Sequence, residues 1–113
     1  MPLYIMLSTL TDDGMETLHE HPRRIKEVNQ EVEKMGARVI EQWAVLGPYD
    51  FVNLVEAPDN ETIARVSVAL GARGTVKLMT LPAIPIDQFI ASLEAGTGEA
   101  EEDEGEAGED GDA

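Results

Sequence analysis

The chain has 113 residues, which is enough for one compact domain and too few for two domains of ordinary size. Its 23 acidic residues against 8 basic ones give a formal charge of −15, which argues against a basic surface for nucleic acid. The absence of cysteine excludes disulfides, thiolate nucleophiles and cysteine-ligated metals. With no basic leader and no run of roughly 18 apolar residues, we expect a cytoplasmic protein without a membrane partner.

The negative charge is concentrated at the C-terminus, where residues 96–113 hold nine acidic residues and no basic or large apolar one. Such a segment has no apolar surface to offset the entropy of ordering, and its like charges repel. We therefore predict a folded domain over residues 1–95 and a disordered acidic tail over residues 96–113. We interpret the tail as a solubilising segment, which is consistent with adaptation to high salt. The alternative is an acidic arm that binds a partner.

The first half of the domain shows a strand pattern followed by a helix pattern. Residues 3–10 alternate in polarity and predict a strand. Residues 11–13, Thr-Asp-Asp, offer a helix N-cap with acidic groups in the first turn, and apolar residues at three- and four-residue steps continue the helix as far as Gly36. Pro22 is expected to kink or divide this helix, because proline removes a backbone donor and clashes with the preceding turn.

The second half predicts two more strands, a helix, a fourth strand and a final helix. Residues 38–46 and 51–57 are rich in strand-forming side chains, and the turn sequence at residues 47–50 joins them as an antiparallel hairpin. Alternation along the first of these strands places Val39 and Trp43 on one face. The remaining elements in chain order are a helix ending at Gly71, a strand over residues 75–81 and a helix over residues 85–95.

The order βαββαβ with a terminal helix is that of the ferredoxin-like α+β fold, a four-stranded antiparallel sheet with two helices on one face. Both faces of the strands are substantially apolar, so the face without helices needs a partner. We assign Tyr4 and Met6, or Trp43, to that face. A second copy of the chain is the simplest partner, which predicts a homodimer or a higher homo-oligomer.

Several short motifs resemble the GYD domain family, small proteins named for a Gly-Tyr-Asp turn. The hairpin segment at residues 46–52, with Gly47, Tyr49 and Asp50, is similar to that turn. The segment at residues 55–62, which follows it, also resembles the family. Residues 11–14 and 69–76 extend the resemblance, which covers roughly residues 2–92. It implies a dimeric α/β-barrel, in which two ferredoxin-like sheets pack around a central cavity, and it carries no activity with it.

Two pairs of residues are candidates for ligand binding. Tyr49 and Asp50 at the hairpin tip place a phenol beside a carboxylate, which suits a polar ligand or acid–base catalysis. In the structural alternative, Asp50 bonds the turn backbone and Tyr49 packs over the helix ends. Trp43 and Tyr4, if they face the uncovered side of the sheet, line either a ligand cavity between subunits or a dry dimer interface.

The histidines form a third candidate group. Glu16 and His19 are spaced so that a helix would aim both the same way, but a metal site needs further ligands, so no metal is predicted. His19 and His21 are interpreted as an exposed helix face. The resemblance to dimeric α/β-barrels implies haem if a histidine reaches the barrel cavity. No cofactor is predicted, with haem as the alternative.

Three functions remain open from the sequence. The favoured one is a homo-oligomeric module of the GYD family that binds a small molecule or a protein. The alternative is a small enzyme of the dimeric α/β-barrel type, an oxygenase or isomerase, that uses Tyr49, Asp50 or a histidine. A third possibility is a scaffold that displays the acidic tail. The first is favoured because no acid–base–nucleophile set can be assembled without assuming geometry.

Overall fold

Four antiparallel strands form one sheet, in which Arg38–Ala44 lies at one edge and is followed across the sheet by Phe51–Glu56, Leu3–Leu10 and Val76–Ala83. The computed structural model describes the backbone of residues 1–103 and the side chains of residues 1–96. The chain divides into two compact units, Met1–Ala83 and Ile84–Ala113. The elements of the first unit are β1 (Leu3–Leu10), α1 (Asp12–Glu20), α2 (Arg24–Lys34), β2 (Arg38–Ala44), β3 (Phe51–Glu56), α3 (Asn60–Gly71) and β4 (Val76–Ala83).

This order of elements and the antiparallel pairing confirm the predicted ferredoxin-like α+β fold. The predicted hairpin is present as the antiparallel pair of β2 and β3. The predicted first helix is divided at Pro22, since α1 ends at Glu20 and α2 begins at Arg24. Local sequence rules therefore placed each of these elements, including the interruption.

The face of the sheet that packs against the helices is called the inner face here. Side chains from β1 and β3 cover it and pack with residues of α2 and α3. Its buried apolar core consists of Tyr4, Met6, Val32, Ala37, Val55, Ala57, Ile63, Val66 and Leu70. Tyr4 is 2% exposed, and its hydroxyl donates to Asn60 Oδ1 at 2.7 Å. The assignment of Tyr4 and Met6 to the face without helices is therefore wrong, because both side chains belong to the buried core between the sheet and the helices.

A β-bulge in β2 changes which of its side chains share a face. The register shifts between Val39 and Glu41, so Ile40 is an extra residue without a partner in β3. Val39 lies opposite the buried Val55, whereas Trp43 lies opposite Val52 on the other side of the sheet. The prediction that Val39 and Trp43 share a face is wrong, because simple alternation does not anticipate the inserted residue.

The N-terminus of α1 is hydrogen-bonded to the loop that precedes β4. Thr11 caps the helix by accepting from the Gly14 amide at 3.1 Å, and its own hydroxyl donates to the Gly74 carbonyl at 2.7 Å. The Thr11 amide donates to the Thr75 carbonyl at 3.1 Å. A Cβ on Gly14 would lie 2.0 Å from that same carbonyl oxygen, so only glycine permits this approach.

The second unit contains helix α4, described over Ile86–Asp103. Its described residues extend past residue 95, where the sequence predicts the acidic tail to begin. Residues 104–113 lie outside the described residues, so the disordered tail stays a prediction. No helix within the described part of the chain is long and apolar enough to cross a membrane.

Replacing Gly14 with alanine tests the close approach of α1 to Thr75. The added methyl group would push the backbone apart, so we expect a loss of about 1–3 kcal/mol in the free energy of unfolding. Gly71→Ala is the matched control, because a Cβ there meets nothing within 4 Å and alanine favours a helix. Urea denaturation of both variants measures the difference, and equal stabilities would contradict the steric account.

Candidate functional site

The face of the sheet opposite α1–α3 is called the outer face here, and the strand register arranges its side chains in rows. One row runs across all four strands at Trp43, Val52, Leu7 and Met79. The next row holds Glu41, Leu54, Ile5 and Leu81. Seven of these eight side chains are apolar, so the outer face is a continuous apolar surface.

Exposure on the outer face is greatest on its two edge strands. Trp43 and Met79 are each 48% exposed, and Leu81 is 44% exposed. Arg38 and Glu56 form an ion pair at 2.6 Å at one end of this face. A contiguous exposed apolar patch with a charged border, containing tryptophan and methionine, is typical of a surface that contacts another protein.

The turn between β2 and β3 is held by hydrogen bonds to β1. Asp50 Oδ2 accepts from the Leu10 amide at 2.8 Å, and the Asp50 amide donates to the Ser8 carbonyl at 2.8 Å. Within the hairpin, the Val45 amide donates to the Asp50 carbonyl at 2.9 Å. Leu46 is 100% exposed on this turn. The turn therefore presents one leucine to solvent from an ordered backbone.

Tyr49 and Asp50 are adjacent in sequence but engage different neighbours. The Tyr49 hydroxyl contacts the sulfur of Met79 at 3.6 Å, at the border of the outer face, while the Asp50 carboxylate binds the β1 backbone. Asp50 thus has a structural role, but its carboxylate binds the Leu10 amide at the end of β1 and not the turn backbone that the alternative interpretation expected. Tyr49 packs beside β4 and not over the helix ends, because its hydroxyl reaches Met79.

The second candidate site is a cavity of about 360 Å³ between the inner face and helices α1 and α2. Its wall is mainly apolar, with side chains from the sheet and from α2. Its polar lining residues include Ser8, Asn29, Gln42 and Asn53, and its charged ones are Arg24 and Arg73. Sequence reasoning missed this site, although Gln42 and Asn53 are polar residues at inward strand positions, which is an unusual pattern.

The two arginines at the cavity are joined by Glu31 of α2. Arg73 Nη1 lies 2.6 Å from Glu31 Oε1, and Arg24 Nη1 lies 3.5 Å from Glu31 Oε2. The hydrogen bond from Arg73 and the positive charges of both arginines lower the pKa of Glu31 against an opposing effect of burial. Glu31 therefore stays ionised and holds both guanidinium groups beside the cavity.

The histidines do not approach either candidate site. His19 lies in α1 and His21 caps its C-terminus, both are exposed, and neither lines the cavity. Among the described residues, no group of three His, Cys, Asp or Glu side chains is gathered to hold a metal ion. Trp43 lies on the outer face and Tyr4 lies beneath α3, so the structure does not bring this predicted pair together.

The antiparallel sheet and its helices define a ferredoxin-like α+β domain with two candidate binding sites. Residues 4–93 match the GYD domain, and the chain belongs to this family. A Thermus thermophilus protein named "Glutamine synthetase and cystathionine beta-lyase binding protein" is 63% identical over 94 residues, which span 82% of this chain and 99% of that protein. The crystal structure of TTHA0845, also from Thermus thermophilus, has a TM-score of 0.49 and 24% identity, covering 75% of this chain and 95% of that one.

Replacing Asp50 tests its role in holding the turn. Asp50→Ala leaves the Leu10 amide without its acceptor, so we expect a loss of about 1–3 kcal/mol in the free energy of unfolding and faster exchange of that amide. Asp50→Asn keeps an acceptor oxygen and should retain most of the stability. Hydrogen exchange measured by NMR checks both variants, and unchanged protection in Asp50→Ala would contradict the assignment.

The ion pairs of Glu31 predict a pH dependence of stability. Because the pKa of Glu31 is lowered below its ordinary value of 4.5, its contribution is present at neutral pH and is lost as pH falls through the lowered pKa. Glu31→Gln should cost up to about 1 kcal/mol at pH 7, and the difference from the parent protein should disappear in acid. Denaturation measured at several pH values checks this, and a pH-independent difference would contradict it.

Proposed function

We propose that this protein is a protein-binding module that associates with glutamine synthetase and cystathionine beta-lyase. The observation that carries the proposal is the 63% identity, over 99% of its length, to a protein named for binding these two enzymes. The identity extends over nearly the whole of that protein, so we expect the surface that contacts its partners to be retained in this chain. The exposed apolar side chains of the outer face and the turn support a function in protein contact.

We assign the outer face to self-association. Its apolar rows are centred on Val52, Leu54, Ile5 and Leu7, with Trp43 and Met79 exposed at the edges. Tryptophan and methionine are enriched in protein interfaces because they supply large contact areas. A second copy of the chain presents an identical apolar surface, so two sheets packed face to face would cover both.

The turn at residues 45–50 is the contact that we assign to the partner enzymes. Leu46 is fully exposed, and the hydrogen bonds of Asp50 hold the backbone around it. An apolar side chain on an ordered turn loses little conformational entropy when it enters a pocket on a partner. It also lies outside the rows of the outer face, so self-association and enzyme binding can be changed separately.

Two substitutions separate these proposed contacts. Trp43→Glu places a charge on the outer face and should convert the oligomer to a monomer, measured by light scattering after gel filtration. Leu46→Ser should leave the oligomer intact and weaken binding to purified glutamine synthetase or cystathionine beta-lyase by about tenfold, measured by titration calorimetry.

Val68→Ser is the matched control, because Val68 is an apolar side chain 71% exposed on α3, away from the turn. It should retain both the oligomer and enzyme binding. Lack of binding by the parent protein to either enzyme would refute the proposed function. A parent protein that is monomeric would refute the assignment of the outer face alone.

A further inference from the structure

The cavity on the inner face has the size and wall of a small-molecule site. Its volume of about 360 Å³ lies within the usual range of ligand cavities, roughly 300–1,000 Å³. Apolar side chains of β1, α2 and β4 form most of the wall, among them Met6, Val28, Val32 and Leu78. A ligand that fills this space therefore has an apolar body.

The amide side chains in the cavity wall satisfy one another. Asn53 Nδ2 donates to the Met6 carbonyl at 2.8 Å and to Ser8 Oγ at 3.0 Å, which fixes Asn53 Oδ1 as an acceptor. Gln42 Nε2 donates to that oxygen at 2.8 Å, and Asn29 Nδ2 donates to Gln42 Oε1 at 2.9 Å. These hydrogen bonds form a relay of amides through Asn29, Gln42 and Asn53. Because the amides are already paired, the relay does not require a polar partner from a ligand.

The charged side chains that line the cavity are both positive. They are Arg24 and Arg73, and none of the described Asp or Glu residues lines the cavity, although acidic residues outnumber basic ones 23 to 8 in the chain. Arg24 is paired through Nη1 with Glu27 at 3.2 Å and with Glu31 at 3.5 Å, and Arg73 is paired through Nη1 with Glu31 at 2.6 Å. A guanidinium has five N–H donors in a planar fork, so each arginine can bind a second carboxylate beside these partners.

We propose that this cavity binds a small amphipathic carboxylate, with its apolar body between α2 and the sheet and its anionic head at Arg24 and Arg73. Glu31, which pairs with both arginines, and Glu27, which pairs with Arg24, compete with the head for these guanidinium groups and so limit the affinity. The inference is independent of the partner enzymes, because the cavity lies on the inner face, whereas the proposed protein contacts lie on the outer face and the turn.

The test uses the full chain and decanoate as the probe, below its micelle concentration, with decanol as the uncharged analogue. We expect decanoate to shift the methyl NMR signals of Val28, Val32 and Val55, which line the cavity. The outer-face methyl groups of Val52 and Leu54 are the internal control and should not move. Decanoate should bind more tightly than decanol.

Two substitutions should change decanoate affinity in opposite directions. Arg73→Gln removes half of the head-group site and should weaken decanoate binding about tenfold, while leaving decanol binding unchanged. Glu31→Gln removes a competing carboxylate and should tighten decanoate binding about threefold. Glu33→Gln is the matched control, because it makes the same change in net charge on the same helix at an exposed position.

Three results would overturn the proposal. These are no shift of the cavity methyl groups, shifts confined to the outer face, or equal effects of Glu31→Gln and Glu33→Gln on decanoate affinity. If Arg73→Gln does not fold, the comparison of Glu31→Gln with Glu33→Gln decides alone. Loss of enzyme binding by Leu46→Ser has no bearing on these outcomes, so failure of the proposed function and failure of the cavity proposal are distinguishable.

Discussion

The pairing of β1 on both of its edges is the constraint on which the rest of the domain depends. β1 is hydrogen-bonded to β3 on one side and to β4 on the other, so its register is fixed twice. A shift by one residue would exchange the two faces and place Leu3, Ile5 and Leu7 beneath the helices. The partly buried hydrogen bond from Tyr4 to Asn60 opposes such a shift, because a strand with its faces exchanged would lose it.

This register gives the two faces of the sheet different chemistry. The outer face carries seven apolar side chains in its two adjacent rows, with Glu41 at one edge, which suits contact with a second protein surface. The inner face combines an apolar core with a relay of amides and a cavity bordered by arginines. Protein contact and small-molecule binding are therefore assigned to opposite sides of one sheet, where each can occur without displacing the other.

The turn that gives the family its name has a structural part and an exposed part. Asp50 binds the backbone at the end of β1, and Tyr49 contacts Met79 at the border of the outer face. The sequence motif identified the position of this turn, but the Asp50 carboxylate binds Leu10 of β1 and not the turn backbone that the alternative interpretation named. The direction of Tyr49 was not predictable, since the neighbouring β4 residue comes from a part of the chain 30 positions away.

Local patterns in the sequence determined the order of the elements, the β2–β3 hairpin and the division of the first helix at Pro22, because each depends on neighbouring residues. These patterns could not predict which face of β1 packs against the helices. The side chains on both faces of this strand are largely apolar, and alternation shows only that two faces exist. The bulge at Ile40 was also not predicted, because it is visible only in the pairing of β2 with β3. The cavity depends on tertiary structure most strongly: Arg24, Arg73 and Glu31 come from α2 and from the connection to β4, and only packing of these segments brings the three charges together.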